Sequence, residues 1–216
     1  MERGLVRTWS AGTKLFRGRN RKIDATWPLN LQELGPPPNE KALTQRMSPA
    51  GISYLYLSTE QETVLAEIQY KPPCQVAMAS CTLRHDLRLL DLTSSNFPSL
   101  PSIFDQTRRH EYESLLFLMD FANKISERVE KDGREHIDYV PSQVVSEYFA
   151  KIFLLNDGSP LDGMAYESAA LSEGINVVLF PPKKGRGFSE LVNFADPVLL
   201  PSGDSSHTET NAGDPN

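Results

Sequence analysis

The chain has 216 residues, 39% hydrophobic and 23% charged, which is enough for one well-filled core or two small ones and excludes a disordered chain. Its net charge of −6 offers no basic footprint for neutralising phosphates, which argues against general nucleic-acid binding. No apolar run approaches the roughly 20 residues needed to cross a bilayer, and two cysteines, Cys74 and Cys81, make neither a disulfide framework nor a zinc set, so no metal and a cytoplasmic home are expected.

Charge is uneven along the chain. Arg3, Arg7, Lys14, Arg17, Arg19, Arg21 and Lys22 face a single acid, Glu2, in the first stretch. For most of them the pattern reads as a solvated arm, with a few left to line a pocket for a small anion. The same stretch has no apolar core of signal-peptide length, which argues against export. Residues 1–13 read as an N-terminal extension, 14–200 as one domain, and 201–216, nearly free of apolar residues, as a disordered tail.

In chain order, Leu15–Arg19 is expected to form a short strand after a flexible start. The polar stretch through Gly35-Pro36-Pro37-Pro38 cannot be regular helix. Arg46–Gly51 reads as a turn that feeds a β-rich segment, Ile52–Leu57. A helix is expected next, with Thr59 as cap and Glu62 completing a capping box. It runs to about Tyr70 and stops before Pro72, with Val64, Leu65 and Ile68 as its apolar stripe and Glu67 near the stripe's edge.

Segments 75–83 and 87–92 read as strands. A long helix follows from about Asp105 to Val129, with Leu115, Leu118, Ala122, Ile125 and Val129 at helical spacing. A second helix begins at Pro141, and its stripe is Val144, Val145, Tyr148, Phe149 and Ile152. Met164–Tyr166 and Ile175–Phe180 complete the strands. Strands and helices interleave irregularly, with no repeat and no βαβ period, so the fold class is α+β: a single domain with a mixed central sheet and flanking helices.

No generic catalytic motif is present: no P-loop, no dinucleotide fingerprint, no metalloprotease or nucleophile-elbow pattern. The four histidines are scattered, and His110 and His136 read as helix-surface or helix-boundary residues. Arg17 and Arg46 border apolar strands, Tyr54 and Tyr56 share one strand face, and Glu67 follows on the next helix. Arginine, tyrosine and glutamate together suit an anionic ligand with an aromatic ring and a developing positive charge. Taken alone, a structural role for them is the simpler account.

The order of several blocks adds to this. They are Leu15-Phe16-Arg17-Gly18-Arg19, Gly35-Pro36-Pro37 with Arg46 through Leu57, and Glu62 through Ile68. Asp138 through Gln143, Asp162 through Ser168 and Gly174 through Phe180 follow. Together these resemble the RES-domain family, which is known for its Arg, Glu and Ser. The resemblance implies a fold similar to ADP-ribosyltransferase toxins and an activity that consumes NAD as substrate, by hydrolysis or phosphorolysis, with no cofactor. It also implies a bacterial toxin held by an antitoxin with a helix-turn-helix domain; a homo-oligomer stays open.

On that resemblance, Arg46, Glu67 and Ser168 match the family's three residues, with Tyr56 and Arg17 as further matches. Glu67 is expected to oppose positive charge developing on the ribose, and Arg46 and Arg17 to grip the pyrophosphate. Tyr56 is expected to stack on the nicotinamide or ribose, Ser168 to hydrogen-bond one of them, and Gln143 to help position the substrate. Two alternatives remain: transfer of the ADP-ribose to a protein by the same Arg and Glu groups, and a non-catalytic NAD-binding or regulatory module, in which the basic N-terminal arm and the tail would matter more than Glu67.

Overall fold

A computed structural model describes residues 2–22, 30–69, 74–128, 133–182 and 186–200. Its strands are β1 (Val6–Trp9), β2 (Lys14–Lys22), β3 (Leu55–Ser58), β4 (Cys74–Leu83), β5 (Leu87–Asp91), β6 (Gly163–Glu167), β7 (Ile175–Leu179), β8 (Val192–Phe194) and β9 (Val198–Leu200). They form one mixed sheet in the order β1-β5-β6-β7-β3-β2-β4-β8, with β9 also paired to β4. The β5–β6 pair is parallel and the other pairs are antiparallel. The helices are α1 (Glu2–Leu5), α2 (Leu31–Leu34), α3 (Gln61–Glu67), α4 (Arg109–Ser126), α5 (Glu135–Asp138) and α6 (Val140–Lys151). Mixed sheet and flanking helices agree with the expected class.

Strand alternation sorts the side chains into two layers. Leu15, Leu55, Leu57, Leu87, Leu89, Val177 and Leu179 line one face in a continuous apolar cluster. Each fully buried leucine there contributes about 1.5–3 kcal/mol. The other face carries two clusters. Tyr54, Leu90, Met164, Tyr166 and Val178 pack under Leu115, Leu118 and Ile125 of α4 and Phe149 of α6. Val76 and Met78 of β4 pack under Val64 of α3. The boundary between these two clusters falls at the β3–β2 junction.

That junction is where the sheet opens. β2 pairs with β4 over nine residues, from Lys14↔Thr82 to Lys22↔Cys74. With β3 it shares only Phe16↔Ser58. Past that point the two strands diverge.

Several expectations need correction. α3 starts at Gln61 with Glu60 as its N-cap and no side-chain capping bond, so the Thr59–Glu62 box does not form; the Thr59 hydroxyl instead donates to the carbonyl of Ile175 at 3.4 Å. α3 also ends at Glu67, and Gln69 turns into the left-handed region at φ 51°. Tyr70, Pro72 and Val129 lie outside the described residues, as does the expected tail at 201–216. β3 begins at Leu55 rather than Ile52, and a single helical turn, α2, directly precedes the proline run. The expected flexible start holds an edge strand instead, because Val6–Trp9 pairs with Leu87–Leu90 and Leu5 is buried. β8 and β9 were not expected at all.

The largest correction concerns α6. Of the expected stripe, Phe149 is buried and Val145 packs partly buried against the same core, but Val144, Tyr148 and Ile152 are exposed. The face turned inward is mostly polar: Ser142, Gln143 and Ser146 are buried beside Phe149. Their hydrogen bonds explain the inversion. Gln143 Nε2 donates to Thr44 Oγ1 and to the carbonyls of Gln45 and Ser48, at 2.9, 2.8 and 3.3 Å. Ser142 donates to the carbonyl of Arg46, and Ser146 to that of Ser142 at 2.8 Å. A helix face that satisfies a loop's carbonyls is worth burying despite its polarity.

Candidate functional site

A cleft of about 420 Å³ occupies the opening between β2 and β3, within the size range of small-molecule sites. Its floor follows from strand register. Phe16 faces Ser58, Ser58 faces Asn176, and Asn176 faces Tyr166, so one row crosses β2, β3, β7 and β6. All four side chains line the cleft. Cross-strand partners point to the same face of a sheet, which is why these distant residues meet.

α3 supplies the acidic wall. It lies close on β2 because residue 18 is glycine: a Cβ there would meet Val64 Cγ1 at 2.6 Å. Glu67, the last helical residue, is thereby placed over the floor. Its Oε1 accepts two hydrogen bonds, from Ser168 Oγ at 2.6 Å and from Asn176 Nδ2 at 2.6 Å. Ser58 Oγ in turn donates to Asn176 Oδ1 at 2.7 Å, which fixes the amide's orientation. The Ser168 hydroxyl also accepts from the backbone N–H groups of Ala170 and Leu171, at 3.0 and 3.2 Å. Two donors on one oxygen hold the carboxylate in one orientation.

The lining also includes cations. Arg17, Arg19 and Lys41 all line the cleft. Arg17 spans the gap: its Nε donates to the carbonyl of Leu34 at 2.5 Å and its Nη1 to the carbonyl of Tyr56 at 2.7 Å. It thus takes a carbonyl on β3 where pairing with β2 has ceased. Burial, aided by the neighbouring positive charge of Arg19, lowers its pKa to about 10. It stays charged at neutral pH, but its charge is poorly solvated, and an anion in the cleft would relieve that. Arg19 is half-exposed and sits 3.7 Å from Glu33.

Tyrosines fill the middle. The Tyr56 hydroxyl accepts from the backbone N–H of Met47 at 3.3 Å and shares a hydrogen bond with Ser48 Oγ at 3.0 Å. Burial pushes the Tyr56 phenol up to about 12, against the opposing effect of those bonds. Tyr166 is raised too, by burial first and then by Tyr56 and Glu67 beside it. Tyr54 donates to Glu147 Oε1 at 2.5 Å. All three phenols are neutral donors or acceptors at physiological pH.

Of the six residues expected from sequence, Arg17, Tyr56 and Glu67 line this cleft and Ser168 bonds directly to Glu67. Arg46 and Gln143 do not line it. Arg46 closes the end of α4, with Nη1 donating to the carbonyls of Ile125 and Glu127 at 2.6 and 2.5 Å and its guanidinium 5.9 Å from the Tyr139 ring centre. Gln143 clamps residues 44–48, of which Gln45 and Ser48 line the cleft. Both therefore reach the cleft's lining only through that loop. Asn176, Ser58, Arg19 and Tyr166 were missed. The signal for Asn176 was present: it is the one polar side chain in the apolar run Ile175–Phe180.

Among the described residues no group of three or more His, Cys, Asp or Glu is placed to hold a metal ion, and no helix is long and apolar enough to cross a membrane. The free thiol of Cys81 is buried, and burial raises its pKa to about 12, which leaves it unreactive. No curated protein matches the chain. A family model described as RES domain matches residues 34–198, which takes in β3 through β8, the loop at 44–48, Glu67, Ser168 and Asn176. The chain belongs to the RES-domain family.

Proposed function

We propose that this protein cleaves the bond between nicotinamide and ribose in NAD, passing the ADP-ribose to water or phosphate. The observation that carries this is the charge content of one cleft, which is lined by a doubly hydrogen-bonded carboxylate together with two arginines and a lysine. A dinucleotide carries the matching charges, with a cationic ring at one end and a pyrophosphate further along.

The chemistry places a clear demand on Glu67. The C1″–N1 bond breaks with its electron pair going to the nicotinamide nitrogen, so the leaving group departs neutral and the positive charge passes to the ribose. A fixed carboxylate stabilises that oxocarbenium-like state more than the ground state. No acid is needed for the leaving group, unlike in most glycosidases. Ser168 and Asn176 occupy Oε1 and leave Oε2 for the ribose. Water then attacks C1″ and loses a proton to give ADP-ribose; phosphate gives ADP-ribose 1″-phosphate.

Arg17 and Arg19 face the pyrophosphate, and Tyr56 and Tyr166 offer ring faces to the nicotinamide or ribose. Arg46 and Gln143 enter as positioning residues, since they hold the loop that carries Gln45 and Ser48. An ADP-ribosyltransferase-like fold, a toxin role in the cytoplasm and restraint by a helix-turn-helix antitoxin belong to the same proposal and are drawn from the family.

Purified protein incubated with NAD, with and without phosphate, tests it when run beside Glu67→Gln. Wild type is expected to release nicotinamide, and the near-isosteric Glu67→Gln to lose roughly 10³-fold in rate while melting like wild type. A Glu67→Gln enzyme with wild-type turnover would overturn the role given to Glu67. Label fixed to protein rather than released as ADP-ribose would move the assignment to a transferase.

A further inference from the structure

Ser168 sits in a loop that the end of α4 grips from behind. A serine hydroxyl has one proton to donate and two lone pairs with which to accept. Both lone pairs of Ser168 Oγ are taken, by the backbone N–H groups of Ala170 at 3.0 Å and Leu171 at 3.2 Å. Its single proton is therefore committed to Glu67 Oε1, 2.6 Å away. How firmly Ser168 holds the carboxylate thus depends on how firmly those two N–H groups are aimed.

A trans peptide group is planar, with its C=O and N–H pointing opposite ways, so fixing one end fixes the other. The N–H of Ala170 shares its plane with the carbonyl of Ala169, and the N–H of Leu171 with that of Ala170. Those are the two carbonyls that Arg128 takes: Nε donates to Ala169 at 3.0 Å and Nη2 to Ala170 at 3.4 Å. The guanidinium fork holds the outer ends of the same two peptide groups whose inner ends hold Ser168. Its charge also polarises them, which makes each N–H a better donor.

The peptide before Ser168 is held in the same manner. Its carbonyl, on Glu167, accepts from Ser126 Oγ at 3.1 Å, and its N–H, on Ser168, donates to the carbonyl of Gly174 at 2.7 Å. Ser126 is the last residue of α4 and Arg128 lies two beyond it, so one helix end sets three peptide planes. Arg128 is exposed and free to turn to water, yet it reaches carbonyls 41 and 42 residues away along the chain.

We propose that Arg128 is a positioning residue for Glu67. It orients the Ala170 and Leu171 N–H groups, they fix the Ser168 hydroxyl, and Ser168 fixes the carboxylate. Arg128 does not line the cleft, so its effect passes through these bonds alone. The inference rests on the reading of Glu67 as the group that opposes charge on the ribose.

Arg128→Met keeps much of the stem and removes the fork. KM for NAD is expected to stay within about two-fold of wild type while kcat falls roughly 10-fold. In a Ser168→Ala background the same change should have no further effect on kcat, because the link it acts through is gone. The amides of Ala170 and Leu171, followed by NMR, should exchange faster in Arg128→Met than in wild type. Unchanged kcat, or a second loss of like size on top of Ser168→Ala, would overturn the role. A fall in kcat matched by a rise in KM and a lower melting temperature would mark general loosening and overturn it too. A wild type that releases no nicotinamide would overturn the reading of the cleft instead. Exchange at Ala170 and Leu171 then decides whether Arg128 holds Ser168, and unchanged exchange counts against it.

Discussion

The two edges of β2 differ sharply. Toward β4 it is zipped over nine residue pairs; toward β3 it shares one. The zipped edge is apolar and plain, lined with Val76, Met78 and alanines, and it gives α3 a rigid platform. The open edge holds the proposed site. Leaving backbone groups of adjacent strands unpaired is costly, and here Arg17 takes up part of that cost by donating to the carbonyl of Tyr56. The same side chain that repairs the seam lends it a positive charge. A site built in this way has its specificity elements held by the fold itself, because the sheet cannot close further without expelling the guanidinium.

The contrast can be broken first at Arg17. Arg17→Met removes two bonds to carbonyls and the charge that bridges the seam, and should cost about 2–3 kcal/mol in denaturant unfolding. A change in the flat, fully paired part of β2 to a residue of similar size should cost much less. Gly18→Ala tests the platform side. The added Cβ meets Val64 Cγ1 at 2.6 Å, so the Val64 side chain or α3 with it must shift. Stability should fall by about 1–2 kcal/mol, and turnover should fall with it because Glu67 rides on α3.

Smaller effects sharpen the acidic end. Asn176→Asp sets a second carboxylate against Glu67 and removes one donor from Oε1. Oε1 is then held by Ser168 alone and faces a second carboxylate, so turnover should fall roughly 10- to 10²-fold as the carboxylate loses its fixed orientation. Unchanged turnover would mean that Asn176 does not control the carboxylate. Tyr56→Phe, which deletes only the hydroxyl held by Met47 and Ser48, should cost about 1 kcal/mol of stability and loosen the 44–48 loop. Hydrogen exchange at Met47 reads that loosening directly.

Much of the site was legible because strands and an ordered set of short blocks announce themselves locally. Arg17, Tyr56 and Glu67 sit in such blocks, and the fold delivers all three to one cleft. What could not be read depends on register. Nothing near Asn176 says that it will face both Ser58 and Tyr166, since that follows from two separate ladders. The contacts of Arg46 and Gln143 were out of reach for a similar reason: their partners lie 79 and 98 residues away, at the end of α4 and in the 44–48 loop. α6 misled because it carries an apolar ridge strong enough to pass for a core face. Ser142, Ser146 and Phe149, at helical spacing, mark the face that is buried, and polar residues are not where a core is first sought. β1 was hidden by its arginine and threonine, which are both exposed on this edge strand.

The most direct measurement is hydrogen–deuterium exchange of the Glu67→Gln protein with and without NAD, since the substrate then survives the experiment. Binding at the seam should slow exchange at residues 16–19, 45–48 and 56–58, and leave the zipped β2–β4 edge and the outer face of α6 unchanged. Protection confined to other segments, or none at saturating NAD in a folded protein, would contradict a dinucleotide site between β2 and β3.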